Sequence, residues 1–125
     1  MTKNRAATAI FALARVAFGA GLVAAPDRVA AGWIGADAGR EPVKIVIRAV
    51  GARDIALSAG LLASLSENEG AAPWLIFTIA SDLCDLTATL LAPAESLPPR
   101  ARWGTAVMAG GAALAGAGLL GAMKR

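Results

Sequence analysis

The chain has 125 residues, of which 57% are hydrophobic and 17% charged, with a net charge of +3 and a mean hydropathy of +0.60. That is one domain's length, and against soluble averages of roughly 25% charged and 45–50% apolar residues it argues against disorder, collagen-like repeats and an ordinary soluble enzyme. With no His, no Tyr and one Cys, there is no histidine base, no His–Cys zinc site, no histidine-ligated haem, no disulfide within one chain and no serine triad of the usual kind.

Four stretches are long enough to cross a bilayer, which takes about 20 mostly apolar residues. The first, about 6–25, reads AATAIFALARVAFGAGLVAA. Lys3 and Arg5 before it and Val23-Ala24-Ala25 at its end resemble a signal peptide. Arg15 in its middle, its length and Pro26 directly after the would-be cut favour a retained helix. The link from 26 to 42 holds Pro26, Gly32, Gly35, Gly39 and Pro42. We read it as a surface loop anchored by Trp33. A short interfacial helix over PDRVAAGWIG, lidding a site, is the alternative.

The second span, about 43–64, carries Arg48, Arg53 and Asp54. At 100° per residue Asp54 aligns with Gly51 and Ser58, Arg53 lies about 100° away, and Arg48 faces elsewhere. A helix charged on several sides is expected to be surrounded by partners, so this span is the candidate central helix. Asn68 and Gly70 then punctuate the chain.

The third span, about 72–92, places Thr78, Ser81, Asp82, Asp85 and Thr89 at i, i+3, i+4, i+7 and i+11, which is one helical face. A polar stripe on a membrane helix faces protein or water, not lipid. Cys84 falls off the stripe and reads as a buried, unreactive thiol.

After Pro93, Pro98 and Pro99 comes the fourth span, about 104–123. It has no charge, and Gly111/Ala115, Ala112/Gly116 and Ala117/Gly121 form small-xxx-small pairs. It reads as a packing helix, against the bundle or a second copy of the chain. Trp33, Trp74 and Trp103 stand at span edges, where an interfacial ring is buried and its N–H stays wet. A soluble helical bundle could also place Trp there; the continuous apolar character of the first and fourth spans speaks against it.

The expected fold is therefore all-α: a four-helix transmembrane bundle, up-down-up-down, forming a single integral membrane domain over 1–125. Multi-pass insertion in the cell inner membrane follows. Orientation is weakly encoded, because Lys3, Arg5, Lys124 and Arg125 on one side face Arg28, Arg40, Lys44, Arg100 and Arg102 on the other. The basic start of the first span leans toward cytoplasmic termini. The positive charge is spread over ends and loops, so lipid headgroups and not nucleic acid are the expected partners.

A charge at the bilayer centre costs about 2.5–3.5 kcal/mol on the lenient insertion scale. Three arginines (Arg15, Arg48, Arg53) stand against three aspartates (Asp54, Asp82, Asp85) within the spans, so pairing between helices is expected. With consecutive spans antiparallel, Arg15, Asp54 and Asp82 fall at nearly one depth.

The run Arg48-Ala49-Val50-Gly51-Ala52-Arg53-Asp54 followed by IALSAGLL, with Pro26, Trp33, Gly35 and the Asp82/Asp85 region, resembles small bacterial four-helix integral membrane proteins of uncharacterised function that carry an R-x-x-G-x-R-D signature on the second helix. The resemblance implies the topology and a shared polar motif, and no reaction, substrate or cofactor.

Three readings of the polar layer stay open, in this order. Arg–Asp bridges fix helix register in a structural or accessory membrane protein. Alternatively, Asp54, Asp82 and Asp85 are candidate acid/base groups beside Arg15, Arg48, Arg53, Thr78 and Thr89 in a polar pocket for a lipophilic small molecule. Like-charge repulsion disfavours ionising both Asp82 and Asp85, and such a set could run isomerisation, cyclisation or epoxide opening. The third reading is proton or ion relay. No metal site and no cofactor is expected, and whether the protein is an enzyme is left open.

Overall fold

The computed structural model describes residues 3–66 and 70–124; Asn68 and Arg125 lie outside them. Helix α1 runs Lys3–Ala24, α2 Pro26–Ile34, α3 Glu41–Ser66, α4 Ala71–Leu91 and α5 Pro99–Met123, with short 3-10 turns at Gly35–Gly39 and Ala94–Ser96. The chain is all-α, and no strand occurs among the described residues. Helices α1, α4 and α5 are long and apolar enough to cross a membrane. Helix α3 is longer than any of them but carries Glu41, Lys44, Arg48, Arg53 and Asp54.

Proline sets two of the helix starts. Pro26 and Pro99 each open a helix, where their missing N–H would have no intrahelical partner anyway and their fixed φ suits the first turn. Pro26 thereby ends α1 and starts α2, because proline cannot continue a helix without losing a hydrogen bond. Helix α5 begins five residues before the expected start, since Pro99-Arg100-Ala101-Arg102-Trp103 joins it as its first turns.

The link from 26 to 42, expected as a loop, is almost wholly helical. Its helix α2 buries Pro26 and Ala30 and packs on α1, α3 and α5. At its end Gly35 adopts φ +72°, in the left-handed region that favours glycine, and returns its N–H to the Ala31 carbonyl. A side chain there would also meet Pro98.

Helix α1 packs chiefly against α3, and α4 against α5; α3 and α4 join the two pairs. At one end Leu22, Ala30, Ala38 and Ile47 form an apolar cluster; at the other Ala12, Leu61 and Leu75 form a second. Arg15 lies between these clusters along α1 and Asp54 along α3, and Asp82 of α4 joins them at that level, so the polar layer is sandwiched by apolar ones. Cross-ties hold the ends: Arg5 donates to the Leu65 carbonyl, and Arg102 caps the end of α4 through the carbonyls of Leu90 (2.7 Å) and Ala92 (3.3 Å).

Helix α3 is not the surrounded central helix. It buries one stripe, Ile47, Gly51, Asp54, Ser58 and Leu61, and exposes Ile45, Val46 and Arg48. Cys84 is likewise exposed, not buried. Both sit on outer helix faces, where Leu83, Leu90, Val107 and Leu114 are exposed as well.

Candidate functional site

Each charged side chain of the site is delivered by helical spacing. On α3, Gly51, Asp54 and Ser58 share the buried stripe. On α4, Leu75, Thr78, Asp82 and Thr89 do so. On α1, Ala12, Arg15, Gly19 and Leu22 face inward. The three stripes meet at one level and produce a continuous ion network.

Arg15 sits at its centre, 9% exposed, between Asp54 and Asp82, each 5% exposed. Its Nη1 donates to Asp82 at 2.8–2.9 Å and its Nη2 to Asp54 Oδ1 at 3.3 Å. Arg53 extends the chain: its Nε and Nη2 reach the same Asp54 Oδ1 at 3.3 and 3.1 Å. It also forks onto Asp85, Nη1 to Oδ1 at 3.0 Å and Nη2 to Oδ2 at 2.6 Å. The order is thus Asp82–Arg15–Asp54–Arg53–Asp85, alternating in sign across α1, α3 and α4. Bidentate guanidinium–carboxylate contacts of this kind are the strong class of hydrogen bond. The guanidinium of Arg15 also lies over the Phe11 ring, 5.7 Å from its centre.

Of the expected site residues, the structure brings together Arg15, Arg53, Asp54, Asp82 and Asp85. Arg48 stays out: it is exposed and its Nε donates to the Val23 carbonyl at 3.2 Å, one helix surface away from the carboxylates. Thr78 is fully buried, but its hydroxyl turns back to the Trp74 carbonyl at 2.8 Å. Thr89 is buried as well. Its hydroxyl donates to the Asp85 carbonyl and accepts from Trp33 Nε1 at 2.9 Å, tying α2 to α4. Buried and without a hydrogen-bond partner are Arg15 Nε, Ser58 Oγ and Ser81 Oγ.

The network forms one wall of a cavity of about 560 Å³, within the usual size range of small-molecule sites. Arg15, Asp54, Asp82 and Asp85 line it, and the other walls are apolar. Phe11, Phe18 and Leu22 come from α1, Val29, Gly32 and Trp33 from α2, and Met108, Ala109 and Ala112 from α5. The small residues of α5 therefore serve two ends. Gly116 packs against Ile79 of α4, while Gly111, Ala112 and Ala115 leave room over the carboxylates. Thr105, Phe11 and Phe18 escaped the sequence reading. Phe11 stands one turn before Arg15, a spacing that puts both on one face. No group of three or more Cys, Asp or Glu side chains among the described residues is placed to hold a metal ion. Compared with known proteins, the chain matches no family model, no curated relative and no solved structure.

Proposed function

We propose that this chain is a small multi-pass protein of the bacterial inner membrane that binds a lipophilic small molecule in the cavity over its Arg/Asp network. In this reading α1, α3, α4 and α5 are the four spans of an up-down-up-down bundle with both termini cytoplasmic. Helix α2 is an interfacial cover. The packing of consecutive long helices, α1 on α3, α3 on α4 and α4 on α5, supports the topology. The pairing of Arg53 and Asp54 inside the bundle supports α3 as a span despite its charges, because intramembrane charges persist where they find partners.

The observation that carries the binding reading is the cavity itself: mostly apolar, with Asp54, Asp82 and Asp85, each paired with a guanidinium, along one wall. That combination, an apolar chamber with a few convergent polar groups, is the general form of a ligand site. Asp54, Asp82 and Asp85 are its candidate acid/base groups, with Arg15 and Arg53 to steady developing charge.

A register-setting role for the bridges is favoured by a different observation, the unbroken alternation of the five charges across three helices, and it is compatible with binding. Native mass spectrometry of the wild type separates the two. The binding reading expects a co-purifying small molecule that is lost on Ala112→Leu, which fills the chamber without touching the ion network. A wild type that carries nothing, and whose stability no lipophile raises, is a purely structural bundle.

A further inference from the structure

We propose that the guest of this cavity is a lipophilic cation, a protonated amine on an apolar body, whose N–H groups donate to Asp54 and Asp85. This rests on the binding reading above and specifies its ligand.

The first ground is charge. The network sets the carboxylates of Asp54, Asp82 and Asp85 against the guanidiniums of Arg15 and Arg53, which leaves it one positive charge short. The shortfall faces the cavity: all three carboxylates line it with Arg15, whereas Arg53 stands outside the lining. The lining residues of α2 and α5 carry no charge, and Arg48 is turned away to the Val23 carbonyl. A charge in apolar surroundings is strongly disfavoured unless it is paired, so this chamber selects a guest that brings the missing charge with it.

The second ground is a single oxygen. Asp54 Oδ1 accepts every hydrogen bond that reaches this carboxylate among the described residues, one from Arg15 and two from Arg53. Its Oδ2 accepts none. Nor is Oδ2 sealed off, since the orphaned polar atoms without accessible surface are Arg15 Nε, Ser58 Oγ and Ser81 Oγ. On a residue that is 5% exposed and lines the cavity, the open side of Oδ2 is the cavity side. A carboxylate oxygen held there lacks a donor, and a guest with acceptors alone does not supply one.

Geometry adds the second anchor. Nη2 of Arg53 donates to Asp54 Oδ1 at 3.1 Å and to Asp85 Oδ2 at 2.6 Å, so the two carboxylates stand close together. An ammonium, with three donors on one nitrogen, bridges the pair from the cavity as Arg53 bridges it from the other side. Phe11, Phe18 and Trp33 line the same chamber, and aromatic faces attract cations. Phe18 of α1 and Met108 of α5 line it and are also exposed, so the chamber opens on an apolar rim that suits the guest's body.

Three probes of similar size test this: cyclododecylamine, a cation at neutral pH, cyclododecanone, which is neutral, and cyclododecanecarboxylic acid, an anion there. They are titrated into the detergent-solubilised protein with Trp33 as reporter in a Trp74→Phe/Trp103→Phe background. The amine is expected to bind about tenfold more tightly than the ketone, or better, the ratio that one hydrogen bond to a charged group supplies, and the acid most weakly. Asp85→Asn leaves two carboxylates against two guanidiniums and is expected to bring the amine's affinity down to the ketone's. If that variant fails to fold, the ranking in the wild type decides alone. Amine binding no tighter than ketone binding, tightest binding by the acid, or an amine advantage undiminished in Asp85→Asn each overturns the proposal. All three leave the binding reading standing, provided Ala112→Leu abolishes the signal. If no probe perturbs Trp33, or if the signal survives Ala112→Leu, the binding reading falls with the proposal.

Discussion

Gly19 of α1 and Gly51 of α3 face each other backbone to backbone: a methyl group added to either would stand 2.6–2.7 Å from the other's carbonyl oxygen. Arg15 lies one turn from Gly19 and Asp54 one turn from Gly51, so this backbone contact sets the separation at which the guanidinium reaches its carboxylate. Close approach through small residues is how helices associate where no hydrophobic drive between them exists. Gly51→Val is therefore expected to push α1 from α3 and to cost more than the about 1–3 kcal/mol typical of overpacking, because the obstacle is backbone and cannot rotate away. Thermal unfolding in detergent measures it. Gly118→Ala on α5, where an added methyl meets nothing, is the matched control and should leave the transition in place or raise it slightly, since Ala is the better helix former.

The five-charge network makes an ordered prediction. Arg15→Gln strands Asp54 and Asp82 in the apolar interior, and breaking a buried pair by removing one partner costs about 3–5 kcal/mol. Arg53→Gln should cost less, since Arg53 and Asp85 are partly exposed (side chains 32% and 22%) and water can take over part of their solvation. Arg48→Gln, although it alters a charge inside the same helix, should fall within about 0.5 kcal/mol of the wild type, as substitutions at exposed positions do. Urea or thermal titration of the three proteins in one detergent checks the order. An Arg48 variant as damaged as the Arg15 variant would contradict the arrangement.

Trp33 and Thr89 predict how the cavity is closed. Their hydrogen bond links α2, whose Trp33 lines the chamber, to α4. Thr89→Val keeps shape and removes the acceptor, so about 0.5–1.5 kcal/mol should be lost, the net worth of one such bond. The larger effect is expected on guest release: a bound lipophile should dissociate faster, with stability little changed, and stopped-flow Trp33 emission reads it.

How far the sequence disclosed this site depends on what period and depth can say. Helical spacing placed Asp82 on the inward stripe of α4, and counting residues from span ends put Arg15, Asp54 and Asp82 at one level; contacts of 2.8 and 3.3 Å bear that out. Arg48 and Cys84 were misplaced for one shared reason. Periodicity gives the direction of a side chain but not whether a neighbouring helix covers that direction, and here the outer faces are left uncovered. Helix α2 stood only as the alternative to a surface loop because its stretch is short and bounded by Pro26 and Gly35, punctuation that marks helix ends and loops alike. Its apolar contacts with α1 and α5, not its propensity, hold it. The cavity was invisible for a further reason: it arises where the small side chains of α5 fail to fill the space over α1, and emptiness has no residue to signal it.

Cys84 offers a test of α4 as a span. It stands beside Asp85 but on the outer face, with exposed Leu83 next to it, so in a bilayer it should face hydrocarbon. A charged reagent does not enter hydrocarbon, so it cannot reach a thiol held there. In intact proteoliposomes a charged, impermeant maleimide should therefore leave Cys84 unmodified, and the same thiol should react fully once the protein is denatured in SDS and urea. An Arg28→Cys variant made on a Cys84→Ser background provides the contrast. Arg28 is exposed on α2, outside the spans, and Cys at that position should label at once when the reagent is on its side of the membrane. Rapid labelling of Cys84 in sealed vesicles would place the middle of α4 in water and rule out a membrane setting for the Arg–Asp network.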